Sequence, residues 1–138
     1  MKAKEFLNQI KKIDRMIENK CIEKDQWKAI ATSTTTHSFG DRVQSSGNQQ
    51  KMADAVTKFV DIDKEIDECM DKLIRVKKDV INEIEKLESV EYDLLHKVYI
   101  QNMTLYDVAS AYDKSYTSIT TIHGRALKNL QIILDERS

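Results

Sequence analysis

The side chains best suited to recognising a ligand cluster between residues 114 and 128. Four of them carry hydroxyl groups that could reach the edges of bases: Tyr116, Thr117, Thr120 and Thr121. Four more suit the oxygens of backbone phosphates: Lys114, Ser118, Arg125 and Lys128. Threonine hydroxyls bond to base edges in the major groove, and threonine methyl groups contact the methyl of thymine. This combination predicts contact with double-stranded DNA, the first set on bases and the second on phosphates.

Two helices must hold these side chains in place. Thr104 begins the shorter one as an N-cap, with Asp107 three residues later in the position of a capping box. The longer helix follows the break Asp113-Lys114-Ser115, and Ser115 is its N-cap. Apolar residues at helical spacing give the pair a shared core: Leu105, Val108, Ala109 and Tyr112 on the first, then Ile119, Ile122, Ala126, Leu127, Leu130 and Ile133. A short helix, a tight turn and a longer helix form a helix-turn-helix, whose second helix enters the major groove.

Residues 88–138 are therefore predicted to form a three-helix, helix-turn-helix domain that binds DNA. Its first helix runs from Val90 to Ile100, before Gln101-Asn102-Met103 interrupts the apolar rhythm. Gly124 lies in the middle of the last helix, where glycine costs about 1 kcal/mol relative to alanine. This glycine either permits a close approach by a phosphate or another helix, or is merely tolerated.

Residues 1–87 are predicted to form a long antiparallel helical hairpin. Its first helix spans 4–31, where an apolar stripe recurs every three or four residues: Phe6, Ile10, Ile13, Ile17 and Cys21. Residues 32–50 are rich in Thr, Ser and Gly and lack periodicity, so they are read as a loop. The cysteines at 21 and 69 are expected to be reduced and buried.

The second helix of the hairpin, predicted over 52–87, carries a heptad pattern. Its apolar positions are spaced by seven in two interleaved series: Phe59, Ile66, Leu73, Val80 and Leu87, and Ala55, Ile62, Cys69 and Val76. Heptads sustained over this length favour a coiled coil. The hairpin is thus an oligomerisation surface or a surface for a partner protein, and a homodimer or higher homo-oligomer is expected.

Composition supports an all-α chain and excludes several functional classes. The 138 residues include three glycines and no proline, fewer than a sheet with many tight turns requires. The sequence has no apolar run long enough to span a membrane and no signal-peptide pattern, so a cytoplasmic protein is expected. It also lacks the motifs of a phosphate-binding loop, a metal helix or a nucleophilic site, which predicts a protein without catalytic residues, metal or cofactor.

Several of these motifs resemble known sequences. Thr104-Leu-x-x-Val-Ala-x-x-Tyr, Ser115-x-x-x-Ile-x-x-Ile and Arg125-Ala-Leu-x-x-Leu resemble the DNA-binding region 4 of bacterial sigma factors. Over nearly all its length the chain is similar to small phage and prophage proteins of Gram-positive bacteria. Members of that family carry a segment like Gly40-Asp-Arg-Val-Gln-Ser-Ser-Gly47 and a region-4-like domain ending as His123-Gly-Arg-Ala-Leu127 does. The resemblance implies a regulator of phage transcription in the bacterial cytoplasm, although many members are of unknown function.

Charge determines which partners this function would need. Residues 88–138 hold five basic and seven acidic side chains, so one copy should bind DNA weakly. The stretch 114–134 is more favourable, with three basic residues and no acidic one. Duplication through the coiled coil, or host RNA polymerase as a co-binder, could supply the missing affinity.

Two other functions remain open at this point. A small terminase-type subunit for DNA packaging also joins a helix-turn-helix to oligomerisation helices, but usually places the helix-turn-helix first. A coiled-coil adaptor that never touches DNA is compatible with the heptads of 52–87 alone. Only the hydroxyl-rich stretch without acidic residues at 114–134 argues against the adaptor.

Overall fold

The computed structural model describes residues 1–36 and 46–137, and every regular element in them is helical. The helices are α1 (Ala3–Thr36), α2 (Ser46–Ile84), α3 (Ser89–Leu95), α4 (Leu105–Tyr112) and α5 (Tyr116–Arg137). A π-helical segment, His96–Ile100, continues α3. The all-α prediction is confirmed for this part of the chain. No helix among the described residues has the length and apolar character needed to cross a membrane.

The described helices divide into two compact units, one formed by residues 1–13 with 73–138 and the other by residues 14–72. The sequence predicts a different division, into residues 1–87 and 88–138, because the apolar pattern changes there. The two divisions differ because the beginning of α1 and the end of α2 pack into the same core as α3, α4 and α5.

One hydrophobic core organises the unit formed by residues 1–13 and 73–138. Its members come from all five helices and the π-helical segment, and the most deeply buried are Leu7, Ile10, Val80, Ile84, Leu94, Leu95, Val108, Ile119, Ala126 and Leu130. The predicted stripe Phe6, Ile10 and Ile13 is buried as expected. Leu134, rather than the predicted Ile133, completes the stripe of α5, because it lies four residues after Leu130.

In the unit of residues 14–72, the predicted heptad positions of α2 are buried or half-buried. Ala55, Ile62 and Ile66 are buried, while Phe59 and Cys69 are half-buried. The Nζ of Lys20 lies 3.0 Å from Glu65, and that of Lys24 lies 2.6 Å from Asp63. These two ion pairs join 14–36 to 46–72 in antiparallel order.

The predicted burial of Cys21 is wrong, because its side chain is exposed. Lys20 and Lys24 occupy the next inward positions after Ile17, and both are half-buried. A lysine can bury its aliphatic stem and still present its ammonium to a carboxylate, so it can take a seam position. Both cysteines are free thiols, and Cys69 is half-buried.

Both long helices extend into the predicted loop 32–50. α1 continues to Thr36, and the Thr32 hydroxyl donates to the carbonyls of Lys28 and Ala29. This bond lets a β-branched residue remain in the helix. α2 begins at Ser46, so only 37–45 is left of the predicted loop, and those residues lie outside the described ones.

The predicted second helix of the hairpin ends three residues too late. α2 stops at Ile84, and the amides of Lys86 and Leu87 donate to the carbonyls of Glu83 and Ile84, the tight turn that often closes a helix. Leu87 nevertheless packs against the core as a half-buried side chain. Its apolar character therefore reflects burial in a turn rather than in a heptad.

Candidate nucleic-acid interface

The start of α4 is set by a reciprocal capping box. The backbone amide of Asp107 donates to the Thr104 hydroxyl over 3.1 Å, and the Thr104 amide donates to the Asp107 carboxylate over 3.1 Å. The predicted cap is confirmed, with aspartate in place of the more usual glutamate. Two otherwise unpaired amides are satisfied, so the first turn of α4 is firmly defined.

The turn between α4 and α5 is a Schellman motif with aspartate where glycine is usual. Asp113 has left-handed backbone angles, φ 55° and ψ 46°. Its amide donates to Ser110, and the amide of Lys114 donates to the carbonyl of Ala109 over 2.9 Å. Three residues, 113–115, therefore suffice to connect α4 to α5.

α5 begins with the predicted serine cap. The amide of Ser118 donates to the Ser115 hydroxyl over 3.1 Å, and the two serine hydroxyls are 2.9 Å apart. Ser118 lies in the first turn of α5, and both its amide and its hydroxyl contact the capping serine. Together with the turn before it, this cap fixes where the exposed side of α5 begins.

The predicted contact residues lie on the exposed side of α5. Its buried side is formed by Ile119, Ala126 and Leu130. Thr120 is half-buried. The other seven predicted residues are exposed: Lys114, Tyr116, Thr117, Ser118, Thr121, Arg125 and Lys128. They thus form one accessible strip along α5 and the turn before it.

The two threonines at the centre of this strip hold defined orientations. The hydroxyls of Thr120 and Thr121 both donate to the carbonyl of Thr117, each over 2.9 Å. Their hydrogens are therefore committed to the helix backbone, and the oxygens remain able to accept a hydrogen bond from outside. This arrangement suits an amino donor on a base edge.

Sequence reasoning missed an aromatic pair beside this strip. The rings of Tyr106 and Tyr116 stack with centroids 4.2 Å apart and planes 14° apart. Tyr106 is 68% exposed and Tyr116 is 41% exposed. The pair joins the first turn of α4 to the first turn of α5. Tyr106 could have been noticed as an aromatic residue on the polar side of a short helix.

Polar contacts anchor α5 to the rest of its unit. The Asn129 amide donates to both carboxylate oxygens of buried Glu91 in α3, over 2.5 and 3.0 Å. Arg137 donates twice to Asp79 in α2, over 3.0 and 3.1 Å, and its guanidinium lies 5.6 Å from the Phe6 ring. These contacts hold the second half of α5 against α2 and α3.

A second polar link joins α4 to α3. The Tyr112 hydroxyl donates to Asp93, whose carboxylate also lies 3.6 Å from the Nζ of Lys97. Burial raises the pKa of Tyr112 above its ordinary value, and the bond to Asp93 and the charge of that carboxylate raise it further. Tyr112 therefore acts as a neutral donor that fixes α4 on α3.

Comparison with known families places the chain. A family model described as "Protein of unknown function (DUF1492)" matches residues 31–131, well over half of the sequence. The chain belongs to the DUF1492 family. The matched segment includes the capping box, the turn, the tyrosine pair and the exposed strip. No curated protein and no solved structure matches the chain.

Neither histidine of α3–α5 in this DUF1492 protein belongs to a metal cluster. In the described ranges, no group of three or more histidine, cysteine, aspartate or glutamate side chains is placed to hold a metal ion. His96 Nδ1 instead lies 2.9 Å from the Gln101 amide, and His123 Nε2 lies 2.9 Å from the Tyr99 hydroxyl.

The environment of His123 should make the stability of this DUF1492 protein sensitive to acid. Burial lowers the pKa of His123 below its ordinary 6.5, and the nearby positive charge of Lys4 lowers it further. As the pH falls below 6.5, the unfolded chain takes up a proton more readily than the folded one. The free energy of unfolding should then decrease, as urea denaturation at a series of pH values would measure.

Substitution of each histidine tests whether His123 causes the loss of stability at low pH. H123Q keeps a polar group beside Tyr99 but cannot take up a proton, so the decrease between pH 7 and pH 5 should become shallower. H96Q is the matched control, because it removes a histidine of the same unit and leaves the contact between Tyr99 and His123. A slope lost in H96Q and kept in H123Q would contradict the assignment.

Gly124 faces open space in the DUF1492 structure. A methyl group at this position would have no atom within 4 Å apart from its chain neighbours and its own helix backbone, so no neighbouring helix of the described chain requires glycine there. G124A should therefore raise the free energy of unfolding by about 0.5–1 kcal/mol, because alanine restricts the unfolded chain and favours the helix. Urea denaturation measures this change, and a destabilised variant would contradict it.

Proposed function

We propose that this DUF1492 protein is a sequence-specific DNA-binding regulator of transcription of phage or prophage origin. α4 and α5 act as a helix-turn-helix similar to sigma-factor region 4, with α5 in the major groove. Thr117, Thr120 and Thr121 contact bases. The protein works by binding rather than by catalysis, in the cytoplasm of a bacterial host.

The exposed strip of α5 is the observation that carries this proposal. An amphipathic helix whose outer side serves only as a wet surface normally mixes acidic and basic residues. Here Arg125 and Lys128 on the outer side of α5, and Lys114 in the turn before it, lie among hydroxyl groups, and residues 114–134 include no acidic side chain. The three-residue turn leaves the first residues of α5 accessible to a groove.

The helical segments of residues 14–72 have a function separate from DNA recognition. The net negative charge of residues 88–138 limits the affinity of a single copy for DNA. We assign these segments to self-association or to contact with host RNA polymerase, either of which increases the effective affinity by multivalency. In the hairpin arrangement, α1 and α2 would together form the surface for this association.

Selection from random duplex DNA by the purified protein, followed by sequencing, tests the proposal directly. We expect an enriched motif, and a palindromic one would indicate a two-fold dimer. A protein that enriches no motif alone should do so when host RNA polymerase is added. If neither selection enriches a sequence, the protein is not a sequence-specific binder and the adaptor function is favoured.

Replacing the two central threonines tests the reading surface. T120A/T121A should weaken binding to the selected motif by about tenfold or more, since it removes two hydrogen bonds worth about 1 kcal/mol each. Its stability should not decrease, because alanine favours a helix and both hydroxyls bond only within α5. T57A removes an exposed threonine hydroxyl that likewise bonds only within its own helix, α2, and is the matched control. Unchanged sequence preference in the double variant would reject these residues as the reading surface.

A further inference from the structure

The stacked tyrosines at the edge of the strip carry a defined pair of hydrogen-bond donors. Stacking holds the Tyr106 ring against Tyr116 although the residue is 68% exposed. An isolated exposed tyrosine would instead sample several rotamers. The aromatic pair therefore preorganises the Tyr106 hydroxyl for an external contact.

The hydroxyl groups of this pair are free within the described residues. Neither Tyr106 nor Tyr116 has a hydrogen bond from its hydroxyl, whereas those of Tyr99 and Tyr112 are bonded to His123 and Asp93. A phenol hydroxyl is a good donor to an anionic oxygen. The unused donor of Tyr106 thus matches an acceptor outside the chain.

The position of the pair selects the kind of acceptor. Tyr106 is the second residue of α4, and in a helix-turn-helix this first helix crosses the DNA backbone while the second enters the groove. Tyr116 covers one face of the Tyr106 ring, which leaves less aromatic surface for stacking on a base. A base in duplex DNA is in any case already stacked on its neighbours. A backbone phosphate is therefore the acceptor that fits.

We propose that the Tyr106 hydroxyl donates a hydrogen bond to a DNA backbone phosphate and that Tyr116 is the positioning residue that holds it there. This inference rests on the proposed function and changes the predicted role of Tyr116 from base contact to support of Tyr106. It also compensates for the few basic residues of 88–138, because a neutral donor can contact phosphate without a positive charge.

Y106F tests the donor while it preserves the ring. Binding to the selected motif should weaken by about tenfold, the size expected for one hydrogen bond to a charged group. The dependence of affinity on salt should remain that of the parent, because no positive charge is lost. K128A, by comparison, should weaken binding and lower the salt slope by about one. Y92F, which removes a hydroxyl from α3, is the matched control and should bind as the parent does.

Replacing individual DNA phosphates by uncharged analogues identifies which phosphate the Tyr106 hydroxyl contacts. Backbone phosphates of the motif are replaced one at a time by methylphosphonate, and affinity is measured for the parent and Y106F. At one position the replacement should weaken the parent and leave Y106F unchanged. In a Y116L background, Y106F should have little further effect, because the hydroxyl is no longer held in place.

The outcomes separate this inference from the proposed function. If the parent binds its motif and Y106F binds equally well, the phosphate contact is rejected while DNA recognition stands. Additive losses for Y106F and Y116L reject the positioning role. A parent that binds no DNA, with or without RNA polymerase, overturns the function and the phosphate contact together.

Discussion

Leu7→Ala should lower the free energy of unfolding of the unit that contains α3, α4 and α5 by about 3 kcal/mol, although Leu7 is distant from those three helices in sequence. The Leu7 side chain is 0% exposed and belongs to the same core as Leu94, Val108 and Leu130. Truncation removes buried apolar surface and leaves a cavity that the surrounding helices fill only in part. Urea denaturation followed by circular dichroism measures the loss.

A matched change on the exposed side of α1 separates burial from helix propensity. I22A also shortens an aliphatic residue of α1, but Ile22 is largely exposed, so the free energy of unfolding should change by less than about 0.5 kcal/mol. A fragment of residues 88–138 provides a stronger test, because it lacks Leu7, Val80 and Ile84. It should not unfold cooperatively. A fragment that folds with the stability of the full chain would contradict the shared core.

The same core explains which part of the fold could be predicted from the sequence. The stripe Phe6, Ile10 and Ile13 showed that α1 buries one side, and periodicity was sufficient for that. It could not show what covers the stripe, since an apolar stripe fits any complementary surface. The Ala3 amide donates to Gln131 over 2.7 Å, a contact between residues 128 positions apart that no local pattern predicts.

Local chemistry was more informative where it involved backbone hydrogen bonds. Thr104, Asp107 and Ser115 were recognisable as caps because their side chains satisfy amides only a few residues away. Lys20 was missed as a seam residue because its role depends on Glu65, 45 positions later. The Tyr106 and Tyr116 stack was missed because it depends on how α4 and α5 meet. The candidate strip was thus predictable, and the features that support its edges were not.

Asn129→Leu should cost about 3 kcal/mol of unfolding free energy, because it deprives a buried carboxylate of its amide donor. Glu91 is 1% exposed, and the Asn129 amide contacts both of its carboxylate oxygens. Leucine is close to asparagine in size, so the loss reflects the missing hydrogen bonds rather than a cavity. Urea denaturation at neutral pH measures the cost.

A double-mutant cycle distinguishes this pair from two independent sites. E91L removes the buried charge itself, so N129L should be far less damaging in that background than in the parent. The double variant should recover to within about 1 kcal/mol of the parent, because an apolar pair can replace a buried polar one. Costs that simply add in the double variant would contradict the coupling.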